Sequence, residues 1–380
     1  MAVIADKIAA SVITAYDKLP KSSKPGIRSN GVTEWTVLSG IVAFDDLNDR
    51  YELISLGTGV KATPNEELQR SNGQIVHDCH AEIVCLRGFN ALLLKEICDL
   101  QNGQRSFLLE KTADGYRVKD VWKFAMYISR IPCGDASMNL LEAEDESECE
   151  NCQQAGNIFF NGQYVHPEID TIIRGRANYK LRKVVRTKPG RADSKMTLSK
   201  SCSDKLTMKQ MISICNALTW SLLQSPVYLE WIVLPKQYQY EQVQLEDTFW
   251  LRLKNQQFLP FKFLFCNETF SGDRTNLSQQ PSLSSCVSLY GSNEIVSEVI
   301  LNGVKNGFYV KGKKPLRKGC QSIISRFAQW SAFKKIKAVP SDTDYYGFKS
   351  SVVDRNHIIS KAKVTLSASG WISTCRDNCI

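Results

Sequence analysis

The segment that most constrains this chain is residues 80–100, His-Ala-Glu-Ile-Val-Cys-Leu-Arg-Gly-Phe-Asn-Ala-Leu-Leu-Leu-Lys-Glu-Ile-Cys-Asp-Leu. It is long enough for a helix and apolar enough to be largely buried, so other layers have to cover it. Two β-branched and aromatic runs precede it, Thr33–Phe44 and Tyr51–Val60, parted by the turn-like cluster Asp45–Arg50. Lys123–Ser129 reads as a further strand and runs into Pro132-Cys133-Gly134-Asp135. Strand–helix–strand–helix order predicts an α/β layered fold.

Ile4, Ile8 and Val12 recur every four residues and predict an opening helix that ends before Pro20. Downstream, the pattern predicts helices over 205–224, 241–254, 319–337 and 344–366, and strands over 227–234, 262–266, 295–301 and 308–311. Six carboxylates between Glu142 and Glu150 mark an acidic, solvent-exposed insertion over about 142–156. With no internal repeat and no Gly/Ser linker, the expectation is one continuous domain over 1–380 with C-terminal elaboration.

No apolar run approaches the 18 residues of a membrane helix, and Asp6 and Lys7 interrupt the N-terminal run too early for a secretory signal. A soluble, intracellular chain is expected, in nucleus or cytoplasm, with no obligate protein partner. Its thirteen cysteines are then thiols or metal ligands rather than disulfides. Cys85, Cys98 and Cys215 sit in apolar helical patterns, where a thiol is a small hydrophobe. The positive charge is concentrated. Residues 171–210 hold twelve Lys and Arg against two Asp, and 305–349 hold eleven against two. Such windows suit a polyanion, or are simply solvated basic loops.

His80-Ala81-Glu82, followed by Pro132-Cys133, matches the first half of the zinc-deaminase pattern H-x-E then P-C. An imidazole and two thiolates hold zinc and leave a position open for water, which the ion makes acidic enough to act as nucleophile near neutral pH. A carboxylate beside the metal carries protons. Positions two apart do not share a helix face, so His80 and Glu82 converge only at an irregular first turn. The P-C-x-x-C pattern then fails, because Ala136 stands where the next cysteine would be. Cys149-Glu-Asn-Cys152 has C-x-x-C spacing, but it has no second pair and lies among carboxylates that disfavour thiolates.

Adding Ser201-Cys202-Ser203-Asp204-Lys205 to His80-Ala-Glu and Pro132-Cys-Gly-Asp, in this order, the chain resembles the adenosine deaminases that act on RNA, including the tRNA-specific ones. Leu56-Gly-Thr-Gly-Val-Lys61, Arg186-Thr-Lys188 and Trp371 extend the resemblance over nearly the whole length. It implies a cytidine-deaminase-like three-layer core, a mixed sheet flanked by helices, with C-terminal α+β elaboration. It further implies zinc ligands His80, Cys133 and Cys202, with Glu82 as proton shuttle.

The resemblance also implies a buried structural inositol hexakisphosphate, with matching positions Arg87, Lys205, Tyr345, Lys349, Lys361 and Trp371, and a relay through Asp78 and Lys188 to the zinc site. Leu86 and Met208 replace basic positions of relatives. Relatives that edit long duplexes carry separate double-stranded-RNA-binding domains and a glutamate loop. Here 79 residues precede His80, and Pro189–Ser194 lacks that glutamate. Both features favour a hairpin-loop adenosine, which is already unpaired. The implied substrate is tRNA, adenosine 37 in the anticodon stem-loop of alanine tRNA, with Lys61, Arg174, Arg176, Lys180 and Arg191 as RNA contacts. The competing readings are a deaminase of other structured RNA, a free-nucleoside or cytidine deaminase, and an inactive zinc-stabilised RNA-binding subunit. Glu82 argues against the last.

Overall fold

The computed structural model describes residues 2–141, 164–190, 194–195, 197–275, 277–312, 314–374 and 377–380. The acidic insertion therefore lies outside the described residues, as do Cys149, Cys152 and Arg191. Eight strands form the central sheet: β1 (Leu38–Asp45), β2 (Arg50–Thr58), β3 (Lys123–Ile128), β4 (Trp231–Pro235), β5 (Lys262–Cys266), β6 (Ser284–Tyr290), β7 (Ile295–Leu301) and β8 (Val304–Lys305). Their spatial order is β5-β4-β3-β1-β2-β6-β7-β8. The β3–β4 and β4–β5 pairs are parallel and the remainder antiparallel, so the sheet is mixed.

All eight residues of β1 are buried because both faces of the sheet are covered. Helix α1 (Ala2–Asp17) lays Ala5, Ile8, Ala9, Val12 and Tyr16 on one face, against Leu38, Val42 and Phe44. Helix α2 (Ala81–Gln101) covers the other, against Ile41, Ala43 and Met126. This is the expected three-layer arrangement with the apolar helix inside. Around it lie α3 (Cys202–Ile212), α4 (Gln242–Phe249), α5 (Arg326–Ile336), α6 (Tyr345–Ser351) and α7 (Val353–Leu366). A smaller sheet of Tyr164–His166, Ile169–Arg174 and Val185–Thr187 shares a second core with α3 and α7 through Ile172, Val185, Met211, Ile212, Ala362 and Leu366.

Several expected elements are shorter or broken. The first strand run divides: Thr33–Trp35 pairs with Ser278–Pro281 in a separate ladder, and β1 begins at Leu38. The helix expected over 205–224 stops at Ile212. Ser213 takes φ 107°, and its hydroxyl accepts from the Val227 and Cys215 amides before Asn216 caps a new turn. No strand forms over 308–311, because the chain turns at Gly307 (φ 84°) straight after β8. Helix α5 starts at Arg326 rather than 319, where Ser325 accepts from the Ala328 amide. The last helix is interrupted at Val352.

Candidate metal centre

Two close backbone approaches position the centre. A Cβ on Gly57 of β2 would lie 2.6 Å from the Ala81 carbonyl and 2.7 Å from the Cys85 nitrogen, so only glycine lets the first turn of α2 rest on the sheet. The strand Asp78–His80 pairs with Val60–Ala62 and ends at His80, which keeps an extended conformation (ψ 142°) as the N-terminal boundary of α2. His80 therefore projects from a strand end and Glu82 from a first turn, the irregular junction that their spacing requires. Gly134 (φ 105°) makes the second approach, since a Cβ there would collide with the Ser201 side chain. That approach sets the Cys133 loop beside the start of α3. Ser201 caps the helix by accepting from the Asp204 amide, and the Ser203 amide and hydroxyl both donate to the Cys133 carbonyl, at 3.0 and 2.9 Å.

The donor atoms of His80, Cys133 and Cys202 all lie within 4.8 Å of one another, and Cys133 Sγ is 3.6 Å from His80 Nδ1. Cys202 is fully buried, whereas Cys133 and His80 keep some exposure, so the cluster is open on one side. Two soft sulfurs and an imidazole at this separation fit Zn²⁺ and leave room for a fourth, non-protein ligand. Hydrogen bonding with Cys202, aided by Lys188 and His80, holds the Cys133 thiol well below its ordinary value. Burial and the neighbouring Cys133 push Cys202 up. The two thiols thus titrate as a pair in which the first proton leaves easily. Glu82 is buried, and desolvation followed by the nearness of Cys133 raises its pKa.

Behind the cluster, Lys188 donates to Asp78 Oδ1 and Oδ2 (2.9 and 2.7 Å) and to Cys202 Sγ (3.1 Å). Burial opposes the charge on Lys188, but Asp78 and the thiols outweigh it and raise its pKa. Asp78 also accepts from the Lys205 ammonium, from the Ser199 hydroxyl (3.2 Å) and from the His80 amide (3.1 Å). Its own burial is overcome by Lys188 and Lys205, which hold its carboxyl well below the usual range. The structure thus brings Asp78, Lys188 and Lys205 into one chain of contacts ending at a thiol. Ser199, which also accepts from Lys205 at 2.7 Å, was not evident in the sequence.

Beyond Lys205 lies a set of half-buried to buried cations. Arg87 donates to the Ile324 carbonyl (2.8 Å), and its pKa is lowered by burial and by Arg326. The Arg326 guanidinium is 5.1 Å from the rings of both Tyr345 and Tyr346, and Lys349 is 5.5 Å from Tyr346. Burial, then Arg326 and Arg355, brings Lys349 down to about 8; burial and Arg355 bring Lys209 down to about 7. Lys200 and Lys363 stand 5.1 and 5.7 Å over Trp371. Among the described residues no carboxylate pairs with Lys209, Lys349 or Lys363. Lys361 is exposed on α7, two positions before Lys363. Sequence reasoning missed Lys200, Lys209, Arg326, Arg355 and Lys363. Of these only Lys200, Lys209 and Arg326 lay within the basic windows.

The remaining candidates are separate from this set. Lys61 is exposed on the strand that pairs with Asp78–His80. Arg176 and Lys180 are both exposed in the loop after Ile169–Arg174, and Arg174, partly buried, donates to the Ser194 carbonyl at 3.1 Å. Among the described residues no helix is long and apolar enough to cross a membrane.

Residues 55–357 match the adenosine-deaminase (editase) domain family. The chain is 43% identical over 384 aligned residues to tRNA-specific adenosine deaminase 1 of Saccharomyces cerevisiae, covering 99% of this chain and 94% of that protein. It is 32% identical over 378 residues to the protein of the same name in Schizosaccharomyces pombe, with 93% and 91% covered. It is 26% identical over 235 residues to the double-stranded RNA-specific adenosine deaminase of Mus musculus, covering 60% of this chain and 19% of that protein.

Proposed function

This chain belongs to the adenosine-deaminase (editase) family, and from that premise we infer that it hydrolyses adenosine to inosine and ammonia within tRNA. The observation that carries the reading is the convergence of His80, Cys133 and Cys202 beside a buried Glu82. Those three side chains would hold zinc, which when bound supplies Lewis acidity toward water. Glu82 takes one proton from water and gives it to the ring nitrogen N1 as the oxygen adds to C6. It then takes the remaining proton from the new C6 hydroxyl and delivers it to the amine, which leaves as ammonia as the C6–N bond breaks. Its desolvated setting suits this traffic, because a raised carboxyl pKa lets it hold the proton between transfers. Lys188, fixed by Asp78, keeps positive charge beside Cys202 and favours the thiolate that a metal needs.

The finer reading of the substrate is adenosine 37 in the anticodon stem-loop of alanine tRNA, supported by resemblance to the tRNA-specific branch. The second cofactor is inositol hexakisphosphate, held by Arg87, Lys205, Tyr345, Lys349 and Trp371, with Lys363 rather than the exposed Lys361 beside the indole. Support comes from lysines withdrawn from water whose pKa values are lowered by burial and neighbouring cations, and which face no carboxylate among the described residues. Cations so placed call for a buried counter-charge.

Unfractionated tRNA treated with the enzyme and digested to nucleosides should contain new inosine, whereas free adenosine and cytidine should release no ammonia. Glu82→Ala should retain one zinc per chain and lose on the order of 10³-fold in kcat, the scale of a general acid–base residue. A variant keeping more than a tenth of wild-type turnover would remove Glu82 from the mechanism.

A further inference from the structure

Arg186 lies on the strand Val185–Thr187, two residues before Lys188, and its side chain is completely buried. It makes no ion pair among the described residues. Instead its guanidinium binds four backbone carbonyls of one loop: Nη1 donates to Gly175 (3.2 Å) and Ala177 (2.7 Å), and Nη2 to Asn178 (3.1 Å) and Leu181 (2.7 Å). The loop it grips carries Arg176, Lys180 and Lys183, all reaching solvent. With Arg182 the loop holds four cations that repel one another, and Gly175, Asn178 and Lys183 take positive φ (54°, 43° and 63°), which local preference alone would not maintain.

The loop is also tied to both cysteine-bearing segments. The Lys183 amide donates to both carboxylate oxygens of Asp135 at 2.9 Å, two residues beyond Cys133. The Arg186 amide donates to Asp204 at 2.9 Å, two residues beyond Cys202, and the Arg186 carbonyl accepts from the Ser201 amide at 2.7 Å. Shape and placement of the basic loop are thus both set from the interior.

We propose that Arg186 is a positioning residue: it holds a pre-formed basic loop at a fixed place relative to the metal centre, so that RNA phosphates bind without first ordering the chain. The proposal rests on the RNA-deaminase reading above. Pre-organisation raises affinity by removing the entropy cost of ordering, so the effect belongs in binding and not in the chemical step.

The test uses the full-length, zinc-loaded protein and Arg186→Lys, which keeps the charge but cannot reach four carbonyls with one ammonium. Trypsin should cut after Arg176 and Lys180 about ten-fold faster in the variant, because local opening sets the rate of such cleavage. One zinc per chain should remain. The Kd for an anticodon stem-loop should rise about ten-fold while kcat at saturating RNA stays within about three-fold, since each tenfold in affinity is only ~1.4 kcal/mol. Combined with Arg176→Glu and Lys180→Glu, Arg186→Lys should add less than its separate effect. A purely structural role would instead lower zinc content and kcat and would multiply with the loop reversals. In the unmodified protein, hydrogen exchange gives a readout that no misfolded variant can confuse: the Gly175, Ala177, Leu181 and Lys183 amides should be protected before RNA is added. Unprotected amides, or unchanged cleavage in Arg186→Lys, overturn the proposal. A loosened loop with unchanged RNA affinity also overturns it but leaves the deaminase standing. Absence of inosine from every RNA tried removes the deaminase itself.

Discussion

The molecule displays lysine and arginine in two ways. Around α3, α6 and α7, Lys209, Lys349 and Arg355 are largely withdrawn from water, and the two lysines feel the charge of nearby guanidiniums. In the loop after Ile169–Arg174, Arg176 and Lys180 reach solvent on a backbone fixed from beneath by Arg186. Much of both groups comes from the same stretches of basic sequence, yet the physics differs. Exposed cations are screened by salt and affect binding, whereas buried ones threaten the fold unless an anion of comparable charge joins them.

The comparison predicts its largest effect at the buried set. Lys209→Glu with Lys349→Glu should place anions where the proposed polyanion sits, each costing about 3–5 kcal/mol, enough together to unfold an ordinary domain. Soluble yield and deamination should collapse together. The chemical counterpart is acid release of small molecules from the purified enzyme, followed by mass spectrometry. A soluble, active preparation that releases no inositol polyphosphate would make the two basic regions alike and end the distinction.

A pH titration sharpens the same contrast. With protein groups alone around them, Lys209 and Lys349 titrate at about 7 and about 8, held below 10.5 by burial and neighbouring guanidiniums. Between those values and 10.5 the unfolded chain binds more protons than the folded one, so stability rises with pH through that window. Tm of polyanion-stripped protein should therefore climb between about pH 7 and pH 9, and added inositol hexakisphosphate should abolish the climb by stabilising the charged lysines. A pH-independent Tm in stripped protein would mean that these side chains reach solvent.

Which parts of this were legible in the sequence follows from how local each determinant is. His80, Glu82, Cys133 and Cys202 announce themselves because ligand chemistry requires those residue types, and glycine at 57 and 134 follows from the same close packing. The central strand β6 was hidden. It is absent from the strands that the pattern predicts, yet Ser285 donates to the Cys79 carbonyl and Ser288 pairs with Ser297, both satisfied inside a sheet. The break at Ser213 was equally hidden, since it depends on Val227, fourteen residues downstream. In the sequence Arg186 belongs to a basic window and to the Arg186-Thr-Lys188 segment of the resemblance, and only the tertiary structure shows it facing inward to four carbonyls.

The smallest effect belongs to the loop that reaches solvent. Reversing Arg174, Arg176 and Lys180 together should leave zinc content and Tm near wild type, because Arg176 and Lys180 face solvent and a substitution of that kind usually changes stability by no more than about 0.5 kcal/mol. Binding should change instead. Each cation that ceases to meet a phosphate lowers the slope of log Kd against log salt by roughly 0.7–0.9, so the triple reversal should flatten that slope by about 2–3 as well as raising Kd. The slope is more telling than Kd at one salt concentration. A misfolded protein also binds weakly, but only removal of phosphate-facing cations reduces salt dependence while kcat at saturating RNA survives. If the slope is unchanged, the phosphates lie elsewhere, with exposed Lys61 beside the metal centre as the next residue to reverse.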